Sequence, residues 1–455
     1  MSETLHSRKW LLVGGAALAL FLVLGGIFVW RFVKDGRLEA LRLATNILPV
    51  SAERKNQITD LLTIADSLMA HDGRERTFLL LLQNNWELRP GGGFIGTYGV
   101  LKLKDGRIVS LEIDDTYNFD RRVPAVVPVP YPLEELRIKS WNLRDSNFSP
   151  DFAVNARQAE RFYALGGGKE KLDGVIGITA NMLTALVKVT GPIALKGYPG
   201  VFTDADAIYT LEHQVERAYV EQGIPKNERK SVIENLAREI LNKLQPLGPA
   251  RIITLSKTVF PALEQKDVQL YFADAQLQGI AERQRWAGRV DVNWPGDYLM
   301  LVDTNLNALK SDYVMRRELR YAVDRTGEKP RAVLFVTYRH TGKTRDWLIG
   351  RYRSYGRIFV PGGSALIKLE GATPANQGDD LGKKFFGFFV EVPVGGTAVV
   401  RIEYDLPGAL KSGAYHLKTQ KQAGVESVPV ELTVQNEDGT RIERSFTVTS
   451  DATAP

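Results

Sequence analysis

The stretch Thr77-Phe78-Leu79-Leu80-Leu81-Leu82-Gln83 decides the fold. It is a continuous apolar run with no alternating polar position, the pattern of a strand buried on both faces. The Gly-rich segment Asn84 to Gly93 follows it. Thr97 to Leu103 then reads as a second strand. Lys104-Asp105-Gly106-Arg107 is a turn, and Ile108 to Ile113 returns as the hairpin partner.

Upstream, Leu38 to Leu48 and Ser51 to Met69 read as helices. In the second, Ile58, Leu61, Leu62, Ala65, Leu68 and Met69 form one apolar stripe, so residues 31–73 are expected to be a helical stalk packed on the domain that follows. Before it, Leu11 to Val29 carries no charged or strongly polar side chain and is bounded by Trp10 and Trp30. About 20 apolar residues cross a bilayer core of about 30 Å, and the flanking tryptophans suit the interfacial belt. The run ends in Ile27-Phe28-Val29-Trp30-Arg31, which is no A-x-A-like cleavage site, so residues 10–30 are expected to be an uncleaved signal anchor behind a tail of residues 1–9. Arg8 and Lys9 precede the span while Arg31, Lys34, Arg37 and Arg42 follow it, and this balance leaves the orientation open.

Downstream, Val123 to Pro132 holds four prolines and predicts an extended loop. Ser149-Pro150 is expected to open a helix that ends at Gly166, with a strand at Val175–Ile178 and a helix at Met182–Val189 after it. Thr203 with Asp206 predicts a capped helix reaching Gly223. A further helix, Lys226–Leu244, turns Val232, Ile233, Leu236, Ile240, Leu241 and Leu244 inward. Strands at Gln269–Phe272 and Tyr298–Val302 would complete a mixed α/β (α+β) body over residues 74–313. From Val314 short alternating strands recur between Gly, Pro and Asn-Glu-Asp-Gly turns, which predicts an all-β sandwich over residues 314–455.

Of 455 residues, 44% are hydrophobic and 25% charged, the balance of a packed globular protein. The net charge of +6 is spread along the chain with no basic run, so a nucleic-acid partner is not expected. The absence of cysteine excludes disulfides, thiolate nucleophiles and Cys-ligated metal sites. Histidines occur at 6, 71, 213, 340 and 416, and none sits at a metal-ligand spacing from another.

Gly91-Gly92-Gly93-Phe94-Ile95-Gly96 matches G-x-G-x-x-G, but a strand follows where a dinucleotide site needs a helix. The loop's amides could still cradle an anion, or the glycines could simply form a tight turn. Gly342-Lys343-Thr344 resembles the end of a P-loop, yet Thr337 stands where its first glycine belongs. A polar cluster lies past the buried strand, where α/β sheets tend to place ligands. It comprises Asn84, Asn85, Glu87 and Arg89, then Asp114 and Asp115, then Arg144, Asp145 and Asp151. Arginine forks suit phosphate, and paired carboxylates could hold a divalent cation. The alternative is a set of structural salt bridges and caps.

The run from Leu79 through Arg89-Pro90-Gly91-Gly92-Gly93-Phe94-Ile95-Gly96 resembles a family of bacterial membrane-anchored proteins catalogued as domain of unknown function 4012. So do Leu143-Arg144-Asp145-Ser146-Asn147-Phe148-Ser149-Pro150-Asp151-Phe152, Leu172-Asp173-Gly174-Val175-Ile176-Gly177-Ile178, Val189-Thr190-Gly191-Pro192-Ile193, Asp303-Thr304-Asn305-Leu306-Asn307 and Lys310-Ser311-Asp312. The resemblance covers roughly residues 75 to 455 and implies a single-pass cell-membrane protein with its N-terminus cytoplasmic and its C-terminal part extracytoplasmic. The order of elements is also distantly similar to the LytR-CpsA-Psr family, which transfers glycopolymers from polyprenyl-pyrophosphate carriers to the cell wall. That likeness implies Arg89 at the first pyrophosphate arginine, Asp114 and Asp115 near an Arg-Asp pair, and Arg229 or Lys230 near a later Arg-rich helix. With Arg144 of the polar cluster as a second phosphate-neutralising arginine, Arg89, Asp114, Asp115 and Arg144 form the expected catalytic set. The likeness also implies a magnesium ion on Asp114 and Asp115, although Asn84 and Asn85 stand where an aspartate is expected. The resulting expectation is an envelope phosphotransferase acting on a polyprenyl-phosphate-linked glycan. The alternative is a non-catalytic envelope protein that binds a glycan or partner.

Overall fold

The computed structural model describes residues 50–455 except 125, 137 and 245–248. The anchor at Leu11–Val29 and the helix at Leu38–Leu48 lie outside the described residues. Among those described, no helix is long and apolar enough to cross a membrane.

The first body is a mixed five-stranded sheet. Helix α1 (Ala52–Leu68), capped by the Ser51 hydroxyl on the Arg54 amide, leads into β1 (Glu75–Asn84), β2 (Phe94–Lys104) and β3 (Arg107–Asp115). Strand β4 (Gly174–Thr179) pairs parallel to β1, and the sheet order is β3-β2-β1-β4-β7, with β7 at Val268–Phe272. The quoted stretch is thus the central strand, and Phe78 to Leu81 are fully buried. The hairpin turn falls at Asp105-Gly106, both with positive φ.

Between β3 and β4 stand α2 (Thr116–Asp120) and α3 (Phe152–Leu165). Asp151 caps α3, not Ser149, because its carboxylate accepts from the Val154 amide while Ser149 and Pro150 lie outside the helix. After β4 come α4 (Asn181–Thr190), the two-residue hairpin β5 (Ile193–Ala194) and β6 (Val201–Phe202), α5 (Ala207–His213), α6 (Tyr219–Glu221) and α7 (Ser231–Leu244). A π-helical turn, Gln214–Ala218, joins α5 to α6. Three helices escape the sequence reading: α2, α8 (Pro249–Glu264) and α9 (Ala275–Arg283). Helix α1 packs on the body that follows it. Ile64, Leu68 and Met69 belong to the same core as Leu80, Ile176 and Phe260.

The second body is a sandwich of two six-stranded sheets. One has the order β12-β15-β10-β9-β17-β18, the other β13-β14-β11-β8-β16-β19. Their ranges are β8 Asp297–Asn305, β9 Met315–Asp324, β10 Arg331–His340, β11 Tyr352–Pro361, β12 Ala365–Glu370, β13 Thr373–Asp380, β14 Lys383–Val392, β15 Thr397–Asp405, β16 Leu417–Thr419, β17 Val428–Gln435, β18 Arg441–Val448 and β19 Ala452–Ala454. The sandwich therefore begins before Val314. The strand read at Tyr298–Val302 as the last of the α/β body is β8, hydrogen-bonded between β11 and β16.

The sandwich grips the loop that follows β1. The Asn305 amide donates to the Leu88 carbonyl at 3.0 Å, the Leu88 amide to Asp312 at 3.1 Å, and Gln422 to the Arg89 carbonyl at 3.0 Å. Gly424 has φ +83°, and a Cβ there would fall 1.9 Å from the Gly92 carbonyl oxygen, so only glycine permits this contact.

Candidate functional site

An apolar pocket of about 240 Å³ opens beside the C-terminal ends of β1 and β4. Its walls follow from helical spacing. Met182, Leu183 and Leu186 of α4 face Ile233, Leu236, Ala237 and Ile240 of α7, and each set repeats at three or four residues, one stripe of a helix. Leu211 and Val215 close a third side. Val215 sits in the π-turn, a geometry frequent at functional sites because it re-aims side chains.

The lip is charged. Lys310, from the loop between β8 and β9, lies 3.4 Å from both Glu212 and Glu216. Arg229 pairs with Glu216 at 2.8 Å, and Asn84 donates to Glu212 at 2.9 Å. Lys230 pairs with Asp115 at 2.9 Å and also donates to the Gly96 carbonyl. Glu87 completes the rim. Burial pushes the Glu87 and Glu212 carboxyls above the ordinary glutamate range, more than the nearby cations lower them. Glu216 is half-buried, but Lys310 and Arg229 outweigh that and hold it low. Burial likewise lowers Lys230, against the pull of Asp115. The lip thus presents three cations to carboxyl groups of which two resist ionisation, in surroundings where charge interactions are strong.

The residues singled out in the sequence divide between this lip and the scaffold behind it. Asn84, Glu87, Arg229 and Lys230 line the pocket, and Asp115 reaches it through Lys230. Arg89 does not open onto it. It is buried, paired with Asp145 at 2.9 Å and Glu87 at 3.3 Å, and it donates to the Leu88 and Asn305 carbonyls. Arg144 pairs with Asp120 at 2.6 Å. Asp151 caps α3 and accepts from Arg289 at 2.8 Å. Asn85 donates to Asn181 and to the Gly424 carbonyl.

Asp114 and Asp115 do not form a pair that shares a ligand. Adjacent residues on a strand point to opposite faces, so Asp114 meets Arg122 at 2.5 Å while Asp115 caps α2 and meets Lys230. Among the described residues no group of three or more His, Asp or Glu is placed to hold a metal ion.

The triple glycine is packing, not a phosphate cradle. The Gly91 amide donates to Asn147, Gly92 to Arg89, Gly93 to the Gln83 side chain and Phe94 to Glu87, which leaves no amide of the four for an anion. A Cβ on Gly93 would fall 2.3 Å from the Asn84 carbonyl oxygen.

Glu212, Glu216 and Lys310 were not singled out as site residues. The first two carried a signal, since Leu211-Glu212 and Val215-Glu216 repeat an apolar–acidic pair one turn apart. Lys310 comes from the other body, about a hundred residues along; the stretch Lys310-Ser311-Asp312 carried the family resemblance, but nothing in it points to this lip.

Residues 73–215 match the family model described as "Protein of unknown function (DUF4012)", which supports the first of the two family resemblances. No curated protein matches the chain. Among solved structures, a Legionella pneumophila chain described as a "putative nutrient binding protein" aligns at 9% identity with a TM-score of 0.20. The alignment covers 30% of this chain and 54% of that one, about half its length, and at that score the likeness carries no argument.

Proposed function

We propose that the chain is a membrane-anchored, extracytoplasmic envelope protein whose α/β body binds an anionic single-chain lipid of the polyprenyl-phosphate kind. One observation carries the reading: the apolar pocket between α4 and α7 opens directly onto Lys230, Arg229 and Lys310. A hydrocarbon segment gains by leaving water at roughly 25 cal/mol per Å² buried, and phosphate oxygens gain charge-assisted hydrogen bonds at the lip. In the transferase form of this reading the lipid carries its glycan through a pyrophosphate. An acceptor hydroxyl attacks the glycan-bearing phosphorus, and its proton passes to Glu87 or Glu212 in its ionised form. The phosphoanhydride bond breaks, and Lys230 and Arg229 neutralise the polyprenyl phosphate that leaves. The pairing of Arg89 with Asp145 and of Arg144 with Asp120 favours the second reading, a carrier or scaffold without transfer, because those arginines are committed to the fold.

The full-length protein, purified in mild detergent, is expected to retain a lipid phosphate detectable by extraction and mass spectrometry. Lys230→Glu should reduce it at least about tenfold, the effect of some 1.4 kcal/mol. Unchanged lipid in a folded Lys230→Glu variant would sink the reading. Arg89→Ala is a poorer probe, since it strands Asp145 in the interior.

Binding should also depend on pH with a definite sign. Glu87 and Glu212 have raised values, so they are neutral at low pH and gain charge as pH rises through those values. Each charge gained repels an anionic headgroup. Retained lipid should therefore fall as pH rises above the ordinary glutamate range, and Glu212→Gln should flatten that fall. A profile of opposite slope would show that the ligand is not an anion.

A further inference from the structure

Beside the pocket mouth lies a surface that the pocket reading does not use. Tyr209 is 43% exposed, Tyr313 44% and Val220 66%. The Tyr209 and His213 rings each lie 5.9 Å from Trp347, and the Arg217 guanidinium sits 5.8 Å over Trp347. Tyr313 stacks on Trp86 at 4.1 Å, and Trp86 shares one apolar cluster with Trp347, Ile208 and Leu348, so these side chains form a continuous patch. Its cations are exposed: Arg217, Arg316, and Lys343 and Arg345 of the loop whose Gly342-Lys343-Thr344 resembled a P-loop. The exposed carboxylates of segments 209–221, 313–317 and 341–347 are Glu221 and Asp346, and Asp346 is engaged by the Leu348 and Ile349 amides.

The chain enters the body at this same end. Arg54 and Gln57, near the start of α1, each reach Glu264 at 3.2 Å. Three residues on, the Asp267 carbonyl accepts from the Thr179 amide at the mouth end of β4, next to Ala180 in the pocket wall. The apolar span Leu11–Val29 lies a short stretch of chain before Ala52.

We propose that the Tyr209–Trp347–Tyr313 face, with Arg217, Arg316, Lys343 and Arg345 around it, docks on the surface of an anionic lipid bilayer. Tyrosine and tryptophan carry an apolar body with a polar tip, which suits the headgroup layer. The cations match the negative surface of such a leaflet, as they would not match a neutral one. A bilayer is favoured over a protein partner because the anchor proposed above already tethers this end of the body to one. Docking would set the pocket mouth against the lipid, so that a hydrocarbon chain enters without crossing water.

The chain has no cysteine, so single spin labels can be placed at will in the full-length protein. Thr344→Cys and Val220→Cys report the patch. Asp438→Cys, in the turn after β17, reports the opposite end of strands whose other ends lie beside Tyr313. In nanodiscs of phosphatidylcholine with about one third phosphatidylglycerol, the first two labels should gain oxygen accessibility over a water-soluble relaxant at least about threefold relative to Asp438→Cys. Pure phosphatidylcholine, or the Arg217→Glu, Lys343→Glu, Arg345→Glu combination, should return both labels to water. Water-exposed labels in the anionic discs would overturn the proposal. So would labels equally immobilised in lipid-free detergent, which would mean a second copy or a protein covers the patch. Retained lipid with labels in water would sink docking alone, and docked labels without retained lipid would sink the pocket reading alone.

Discussion

Arg317→Met is expected to destabilise the chain by about 3–5 kcal/mol, the scale of removing one partner from a buried ion pair. Arg317 is fully enclosed in the sandwich. Its guanidinium donates to Asp303 at 2.5 Å, to Asp312 at 2.6 Å and to the Tyr352 hydroxyl at 2.8 Å. Asp303 also accepts from Tyr338 at 2.9 Å, and burial pushes its carboxyl up even with Arg317 present. Without the cation two buried carboxylates face each other, and one must take up a proton or draw in water. The damage should travel, because Asp312 also accepts from the Leu88 amide and from Asn305, which itself holds that loop. Denaturant titration should show the loss, and hydrogen exchange should show the Leu88 amide opening first. Adding Asp303→Asn and Asp312→Asn should recover part of the stability, since neutral groups no longer need the cation. A loss under about 1 kcal/mol would mean that the network is not held as a unit.

What could be read from the sequence was what depends on near neighbours. The unbroken run from Thr77 identified a strand buried on both faces, and Asp105-Gly106 placed the hairpin of the next two strands, because burial on both faces and positive φ each leave a local mark. The start of the sandwich was misplaced for a physical reason. Strand β8 is buried along its whole length, with Leu299 and Leu301 in the main sandwich core and Tyr298, Met300 and Val302 in a second cluster with Val290 and Phe359. A sandwich strand covered on both faces reads like a strand of an α/β sheet. The polar cluster was visible as a set of residues, but its pairings were not. Arg89 meets Asp145 across 56 positions, and adjacent Asp114 and Asp115 part to opposite sides of the sheet. Whether a charge serves a ligand or a partner is decided by contacts between distant segments, and composition holds no record of them. The same holds for Lys310, which completes the lip from the other body.

Ala237→Trp is expected to empty the pocket of lipid while leaving the fold in place. Ala237 lies on α7 between Ile233 and Ile240, the residues one turn to either side that also line the cavity, and it is the smallest side chain of that wall. An indole there occupies the space in which a hydrocarbon chain would lie, and it does so without touching Lys230, Arg229 or Lys310. Overpacking of an interior costs about 1–3 kcal/mol when no space exists. A cavity of about 240 Å³ gives the ring room and should hold the cost to the low end of that range. Lipid retained by the purified full-length protein should fall at least about tenfold, with the melting transition still cooperative. Ala237→Val, which adds little bulk, should keep most of it. Lys230→Glu and Ala237→Trp then test the two halves of one site: the first removes the headgroup contact and the second removes the tail's space. If the tryptophan variant folds and keeps its lipid, the ligand lies elsewhere, and the apolar wall of α4 and α7 must be explained as a packing defect between helices.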